Sequence, residues 1–408
     1  MASLLSPAGA GASDGRVRML LLVGLALVLS MATWFSATAI LAELRRALSL
    51  SDAQASWITN AVQLGFVTGA VGLSVTGLAD SIEERLLIAA AALLAAASNL
   101  ALLAVPDFSA LVAARFITGL ALAGVYPPAL KVIAGWFSAG RGLAMGAAVG
   151  ALTLGSASSF LIRALGGGID WRAIVVVSSL AALAGAALAL LFIAEGPYAG
   201  PRPKFHFGRV LSVMRNRPVL LANLGYFGHM WELYAMWAWF YSYALAAGWG
   251  VSATAALLTF AVIGVGAFGC VCGGLIADRI GRTAATAWMM AVSGLCALLV
   301  GAAFDGPGWL FALVALVWGF SVIGDSAQFS AMISELSDRE TIGAALALQT
   351  GCGFALTIVS IRLIPWLAGE IGWRWSFVLL APGPLIGVLA MLALRRLPQA
   401  RLIAGGRR

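Results

Sequence analysis

Apolar residues run along this chain in long blocks separated by short polar breaks. An α-helix rises about 1.5 Å per residue, so about 20 mostly apolar residues cross the roughly 30 Å hydrocarbon core of a bilayer. Such runs fall at 19–41, 56–78, 86–105, 108–133, 143–165 and 171–194, and again at 219–245, 253–277, 284–304, 309–333, 342–367 and 375–394. Twelve transmembrane helices are expected, six on each side of a polar segment at 195–218. Arg16 and Arg18 precede the first run in the manner of a secretory signal, but that run is too long for a signal core and eleven more follow. The expected plan is an all-α membrane protein. It has an N-terminal tail (1–18), a six-helix bundle (19–194), a linker (195–218), a second six-helix bundle (219–394) and a C-terminal tail (395–408).

Composition agrees. Of 408 residues, 62% are hydrophobic and 10% charged, against about 25% charged in a soluble domain. A soluble enzyme, a disordered chain and a disulfide scaffold are excluded together. Cys270, Cys272, Cys296 and Cys352 all lie inside apolar runs and read as small buried residues, with no metal site. The net charge of +8 comes without a basic face carrying interleaved aromatics, so no nucleic-acid partner is expected. The charge follows topology instead. With the N-terminus inside, 18 of the 25 Lys and Arg fall on the cytoplasmic side, as the positive-inside rule requires. Both termini and the linker are then cytoplasmic. The linker has a short amphipathic piece at 207–215 suited to an anionic lipid surface, and His206 beside it reads as solvated.

The two halves echo each other. Gly77-Leu78-Ala79-Asp80 after the second run matches Gly274-Leu275-Ile276-Ala277-Asp278-Arg279-Ile280-Gly281-Arg282 after the eighth, the two Asp residues lying 198 positions apart. Ser159-Phe160-Leu161-Ile162-Arg163 matches Val359-Ser360-Ile361-Arg362, and Asp170-Trp171-Arg172 matches Gly372-Trp373-Arg374. A repeat of six helices, with the longer loop signature, resembles the major facilitator superfamily. The resemblance implies a carrier of a bacterial inner membrane whose first, fourth, seventh and tenth spans line a central cavity. It also implies a conformational latch at Asp80, Arg85, Asp278, Arg279 and Arg282. In the first copy Asp80 is followed by Ser81-Ile82-Glu83-Glu84-Arg85, without the signature's glycine. Arg115 with Gly119 and Gly124 resembles the fourth-span signature of proton-linked members. The run Gly225-Tyr226-Phe227-Gly228-His229-Met230-Trp231-Glu232-Leu233-Tyr234, with Tyr126-Pro127-Pro128 and Trp136-Phe137, resembles the nitrate/nitrite- and cyanate-type carriers; the glycine-rich nitrate signature itself is absent.

Ionisable groups inside a bilayer are costly and usually face a cavity or a partner. His229 and Glu232 lie three apart on the seventh run and share a helical face near mid-membrane. With Asp325 they are the candidate proton-coupling groups. Candidate substrate contacts are Arg115, Tyr126, Trp34, Tyr226, Trp237, Gln328 and Lys131. Phe35, Trp231 and Trp239 are further cavity aromatics, and Arg163 and Arg362 read as interfacial anchors. Gly146, Gly150 and Gly155 allow close approach by the fifth run.

No catalytic or nucleotide-binding motif is present, and no cofactor is expected. The sequence therefore predicts a monomeric, proton-coupled secondary transporter moving a small anion or polar metabolite, with protons and lipids as its other partners. Efflux of amphipathic compounds and a non-transporting sensor of the same fold are the alternatives.

Overall fold

The computed structural model describes residues 10–137, 141–166, 170–198, 216–250, 252–338 and 341–407. The amphipathic piece expected at 207–215, and His206, lie outside them. Every regular element among the described residues is helical. Ten helices there are long and apolar enough to cross a membrane. Two more occupy the places of the first and seventh expected spans. The first, Ala10–Met31, breaks off and resumes as Ser36–Ala39. The seventh, Arg217–Ala246, is thirty residues long but carries Asn223, His229 and Glu232 and several tyrosines, which lower its hydropathy.

Local chemistry sets where spans begin and bend. The second span, Asp52–Thr76, opens with a reciprocal cap in which Ser51 accepts from the Gln54 N–H and Gln54 accepts from the Ser51 N–H. The sixth, Trp171–Phe192, is capped by Asp170. That carboxylate is held below its ordinary range by the backbone N–H and the guanidinium of Arg172. The fourth span is Phe108–Leu122 followed by Tyr126–Trp136, and the second piece starts on Pro127 and Pro128, which suit a first helical turn. The tenth breaks in the same register, into Gly308–Gly324 and Ser326–Leu336, with Asp325 at the joint.

The repeated loops turn differently. Gly281, between the eighth span's second piece (Gly266–Ile280) and the ninth span (Arg282–Ala302), has φ +90°. Its counterpart Glu83 has φ −56°, and the first half takes its left-handed turn earlier in the same connection, at Gly77 (φ +67°). That is why the missing glycine is tolerated.

In lipid no hydrophobic gain drives one helix onto another, so close packing of small residues must do it. Gly65 of the second span and Gly119 of the fourth lie against each other's backbones. A Cβ on either would come 2.0 Å from a carbonyl oxygen, that of Phe116 or of Val62. The halves meet along two seams. The fifth span, Arg141–Leu165, runs beside the eighth, with Gly146 facing the Cys270 carbonyl and Gly150 that of Ala267. Gly155 faces Val28 and Met31 of the first span. The second span meets the eleventh, Ile342–Ile371, through Asn60 donating to the Ile358 carbonyl (3.2 Å), Phe66 against Phe354 (4.9 Å) and Arg362 donating to the Ala53 carbonyl (2.6 Å). The contacts of the second span with the eleventh lie in the half of the bundle away from the chain termini, whereas Gly146 meets Cys270 in the half that carries them. Nearer the termini, side chains added at Gly72 or Gly351 would meet nothing within 4 Å.

Candidate functional site

Two polar constellations lie inside the bundle. The first is a break and its clamp. Where the first span unwinds after Met31, the carbonyls of Thr33 and Trp34 lose their helical partners. Arg115, fully buried on the fourth span, takes them up: it donates to Thr33 O (3.1 Å) and Trp34 O, and more weakly to Ile58 O (3.4 Å), Ser36 Oγ (3.4 Å) and Asn99 Oδ1 (3.5 Å). Asn99 of the third span, Glu84–Leu100, receives Ser36 Oγ (2.5 Å) and donates to Ser178, Ser179 and the Val175 carbonyl. Arg115 therefore neither snorkels nor presents its guanidinium to an open cavity. Among the described residues its acceptors are all neutral oxygens, so a buried positive charge sits directly behind Trp34.

The second constellation joins the seventh, ninth and tenth spans. His229 Nδ1 lies 2.8 Å from Asp325 Oδ1, both side chains almost wholly buried. Glu232, one turn along, accepts from Ser293 Oγ (2.8 Å) and Trp318 Nε1 (2.7 Å). The expected trio is brought within a turn of helix, though each acid has its own partner. Asp325 belongs with His229 because the tenth span breaks there and exposes its side chain to the seventh. His229 Nε2 has no partner among the described residues, and its ring lies against Tyr226 and Phe329.

Between the constellations lies an aromatic seam made by both halves. Trp34 stacks on Tyr234 (5.8 Å between centroids, 22° between planes) and touches Phe66 (5.1 Å) and Phe354 (6.4 Å). Tyr234 in turn meets Trp237 edge-on (5.6 Å), and Trp237 meets Phe35 (6.1 Å). Tyr241 continues the seam against Phe160 and under the Arg163 guanidinium. Arg163 also donates to Glu43 (2.6 Å) and the Ala39 carbonyl (2.6 Å). With Arg362 on Ala53, it ties the halves together at the end away from the termini, a more specific task than interfacial anchoring.

The remaining candidates lie elsewhere. Lys131 pairs with Glu84 at 2.5 Å near the end that carries the termini, beside a cleft of about 280 Å³ lined by Glu83, Glu84, Arg85 and Glu195. Hydrogen bonding to Glu84 and its charge push the Glu195 carboxyl above its ordinary range. Gln328 accepts from Arg282 (2.6 Å), and Arg282 also grips Glu335 (2.9 Å). Both residues thus belong to the second half's loop and lie away from the seam. Tyr126 is half-buried, and Tyr226 packs beside Gly353 of the eleventh span. Arg85 is exposed and bonded to Glu83 (2.7 Å). Asp278 and Arg279 are exposed, the Asp278 carbonyl accepting from Arg407. The Asp80 side chain lies outside what is described.

The sequence reading missed Glu84, Glu335, Ser293, Trp318, Asn99 and Tyr234. The repeat offset held a signal for one of them: Glu84 corresponds to Arg282, and each pairs with a residue near the terminal end of the fourth or tenth span. The two halves thus make the same bridge with the charges exchanged.

A bundle of membrane-spanning helices built as a sequence repeat, with titratable groups sealed at its middle and a seam of side chains shared by both halves, is a carrier rather than an enzyme. The chain belongs to the Major Facilitator Superfamily, whose family model matches residues 23–327. Among solved structures it is similar to the nucleoside transporter NupG, with a TM-score of 0.71 at 13% identity, covering 92% of this chain and 99% of that one. Among curated proteins it is similar to the gentisate transporter of Corynebacterium glutamicum, 30% identical over 39% of this chain and 36% of that protein. It is also similar to the glycine betaine/proline/ectoine/pipecolic acid transporter OusA of Dickeya dadantii, 34% identical over 37% and 33%. A third relative is the 3-(3-hydroxy-phenyl)propionate transporter of Escherichia coli, 28% identical over 34% and 33%. The matches thus span about a third of the length of these relatives.

Proposed function

We propose that this chain is a proton-coupled secondary carrier of a bacterial inner membrane. In this reading it imports a small anion or polar metabolite by alternating access of the halves 19–194 and 219–394, with both termini in the cytoplasm. The observation that carries the proposal is the sealed group His229, Asp325 and Glu232 where the seventh span seats on the ninth and tenth. A proton added to Glu232 removes acceptor capacity from the bonds made by Ser293 and Trp318, and one added to His229 converts its contact with Asp325 into an ion pair. Protonation therefore changes how the seventh span seats, and that span also carries Tyr234 and Trp237 of the seam. A single helix links proton to cargo, the arrangement a coupling free energy requires. The seam fits an organic cargo better than the inorganic anions of the nitrate/nitrite- and cyanate-type carriers. It also supports a second reading, export of amphipathic compounds, which the direction of flux separates from the first.

The test is uptake into proteoliposomes under an imposed pH gradient, comparing the wild type with Glu232→Gln. The amide oxygen can still accept from Trp318 Nε1 while its NH2 donates to the Ser293 hydroxyl, but the side chain cannot exchange a proton. Gradient-driven accumulation should fall about tenfold or more, with cargo binding and downhill exchange retained. Unchanged accumulation in Glu232→Gln removes Glu232 from the coupling mechanism.

A further inference from the structure

Three buried hydrogen-bonding side chains at the seam have no partner among the described residues. They are Trp34 Nε1, Trp237 Nε1 and both amide atoms of Gln63. Elsewhere in the bundle the indole N–H groups of Trp136, Trp231, Trp239 and Trp318 all donate to an oxygen. Buried donors are ordinarily satisfied, and each exception calls for a reason. Other buried polar atoms without a partner among the described residues include those of Ser30, Ser156, Asn223 and Gln349, but the two indoles share one neighbour. Trp34 and Trp237 both contact Tyr234, and Gln63 lies one turn from Phe66, which touches Trp34. They come from the first, second and seventh spans, so the group is assembled from both halves.

The surroundings specify what would satisfy these groups. The walls are aromatic: Trp34 and Tyr234 are stacked nearly parallel and in contact, 5.8 Å between centroids, so a third flat ring enters between them once they part to about 7 Å, twice a van der Waals ring spacing. Apart from the carbonyl of Gln63, the unpaired atoms are N–H donors, which select a ligand rich in acceptors. Arg115 is bonded to the Trp34 carbonyl and its acceptors among the described residues are neutral oxygens, so a buried positive charge lies behind the site. At low dielectric such a charge favours an anion and disfavours a cation.

Resting on the carrier reading above, we infer that the Trp34–Tyr234–Trp237 seam with Gln63 is the cargo site, and that its ligand class is a planar aromatic carboxylate. The ring lies between Trp34 and Tyr234, and the carboxylate takes the indole and amide N–H groups.

The full-length chain in lipid nanodiscs would be titrated with 3-hydroxybenzoate, cyclohexanecarboxylate, glycine betaine and nitrate, following thermal stabilisation and tryptophan fluorescence. A ligand bound only by the folded state raises apparent stability. 3-Hydroxybenzoate should bind tightest. Trp34→Phe and Trp237→Phe, which keep a ring and lose the N–H, and Gln63→Leu, which keeps bulk, should each weaken it about tenfold. Folding of each variant is checked by its unliganded melting temperature, and the three substitutions are independent arms. Equal binding of cyclohexanecarboxylate, or affinities within about twofold of wild type in all folded variants, overturns the assignment. If 3-hydroxybenzoate does not bind but sealed vesicles accumulate betaine or nitrate along a proton gradient, the cargo class is wrong and the carrier reading stands. Folded protein with no flux of any of the four removes both.

Discussion

Arg115 shows how one side chain can be read correctly for place and differently for task. Its depth inside the fourth span was evident from the sequence, and so was the cost of a charge there. What the sequence did not carry was the break in the first span, because Ala32-Thr33-Trp34-Phe35 contains neither proline nor glycine. The unwinding is stabilised from outside, by the guanidinium fork and by Asn99. Lysine carries its three donors on one nitrogen and lacks the fork that sets Nη1 on Thr33 O and Nη2 on Trp34 O. Arg115→Lys should therefore lower the unfolding free energy by about 2–3 kcal/mol, the cost of leaving a buried acceptor unsatisfied, and thermal denaturation in detergent will read this as a lower midpoint. A midpoint equal to wild type would mean that the broken turn holds itself. His229 and Glu232 were legible for the complementary reason: both lie mid-span on one helix, and period alone puts them on a common face. Their partners Asp325, Ser293 and Trp318 come from other spans, and only packing could assign them.

Among helices, twelve runs of apolar residues and a repeat near 200 positions made the architecture readable, since bilayer thickness fixes span length and the duplication fixes order. The joints were less readable. The fourth span's break could be anticipated from Pro127 and Pro128; the tenth span's break at Asp325 has no such marker and follows its twin. Gly119, singled out beside Arg115 as part of a transport signature, has a packing reason as well. Its lack of a side chain brings the fourth span onto Val62, while Gly65 does the same toward Phe116. Gly119→Ala puts a methyl group where a carbonyl oxygen already lies. It should push the two spans apart and cost about 1–3 kcal/mol, as overpacking does. Gly72→Ala on the second span, the helix that carries Gly65, meets open space and should be close to neutral, which makes it the control in the same denaturation series.

Taken whole, the molecule has two halves tied at the end away from the termini by Arg362 on Ala53, Asn60 on Ile358 and the aromatic seam. Each half has its own charged brace at the other end, Glu84 with Lys131 and Arg282 with Glu335. Between the halves, the second–eleventh seam is polar and aromatic and the fifth–eighth seam sets Gly146 and Gly150 where an added Cβ would lie 3.1 or 3.2 Å from a carbonyl oxygen, whereas Gly65 and Gly119 within the first half lie closer still. That division suits rigid halves turning about a central seam. In a carrier of this kind the end that is closed here opens to take cargo and proton from that side, and the end carrying the termini closes in step. The most direct test is a pair of spin-label distances in a chain freed of its native cysteines, reconstituted in lipid. One pair is Asp52→Cys with Glu370→Cys across the closed end; the other is Val75→Cys with Ser334→Cys across the terminal end. On acidification with cargo present, the first distance should lengthen while the second shortens, and Glu232→Gln should abolish the pH response of both. Two distances that stay fixed, or that lengthen together, would contradict a carrier that alternates between its two faces.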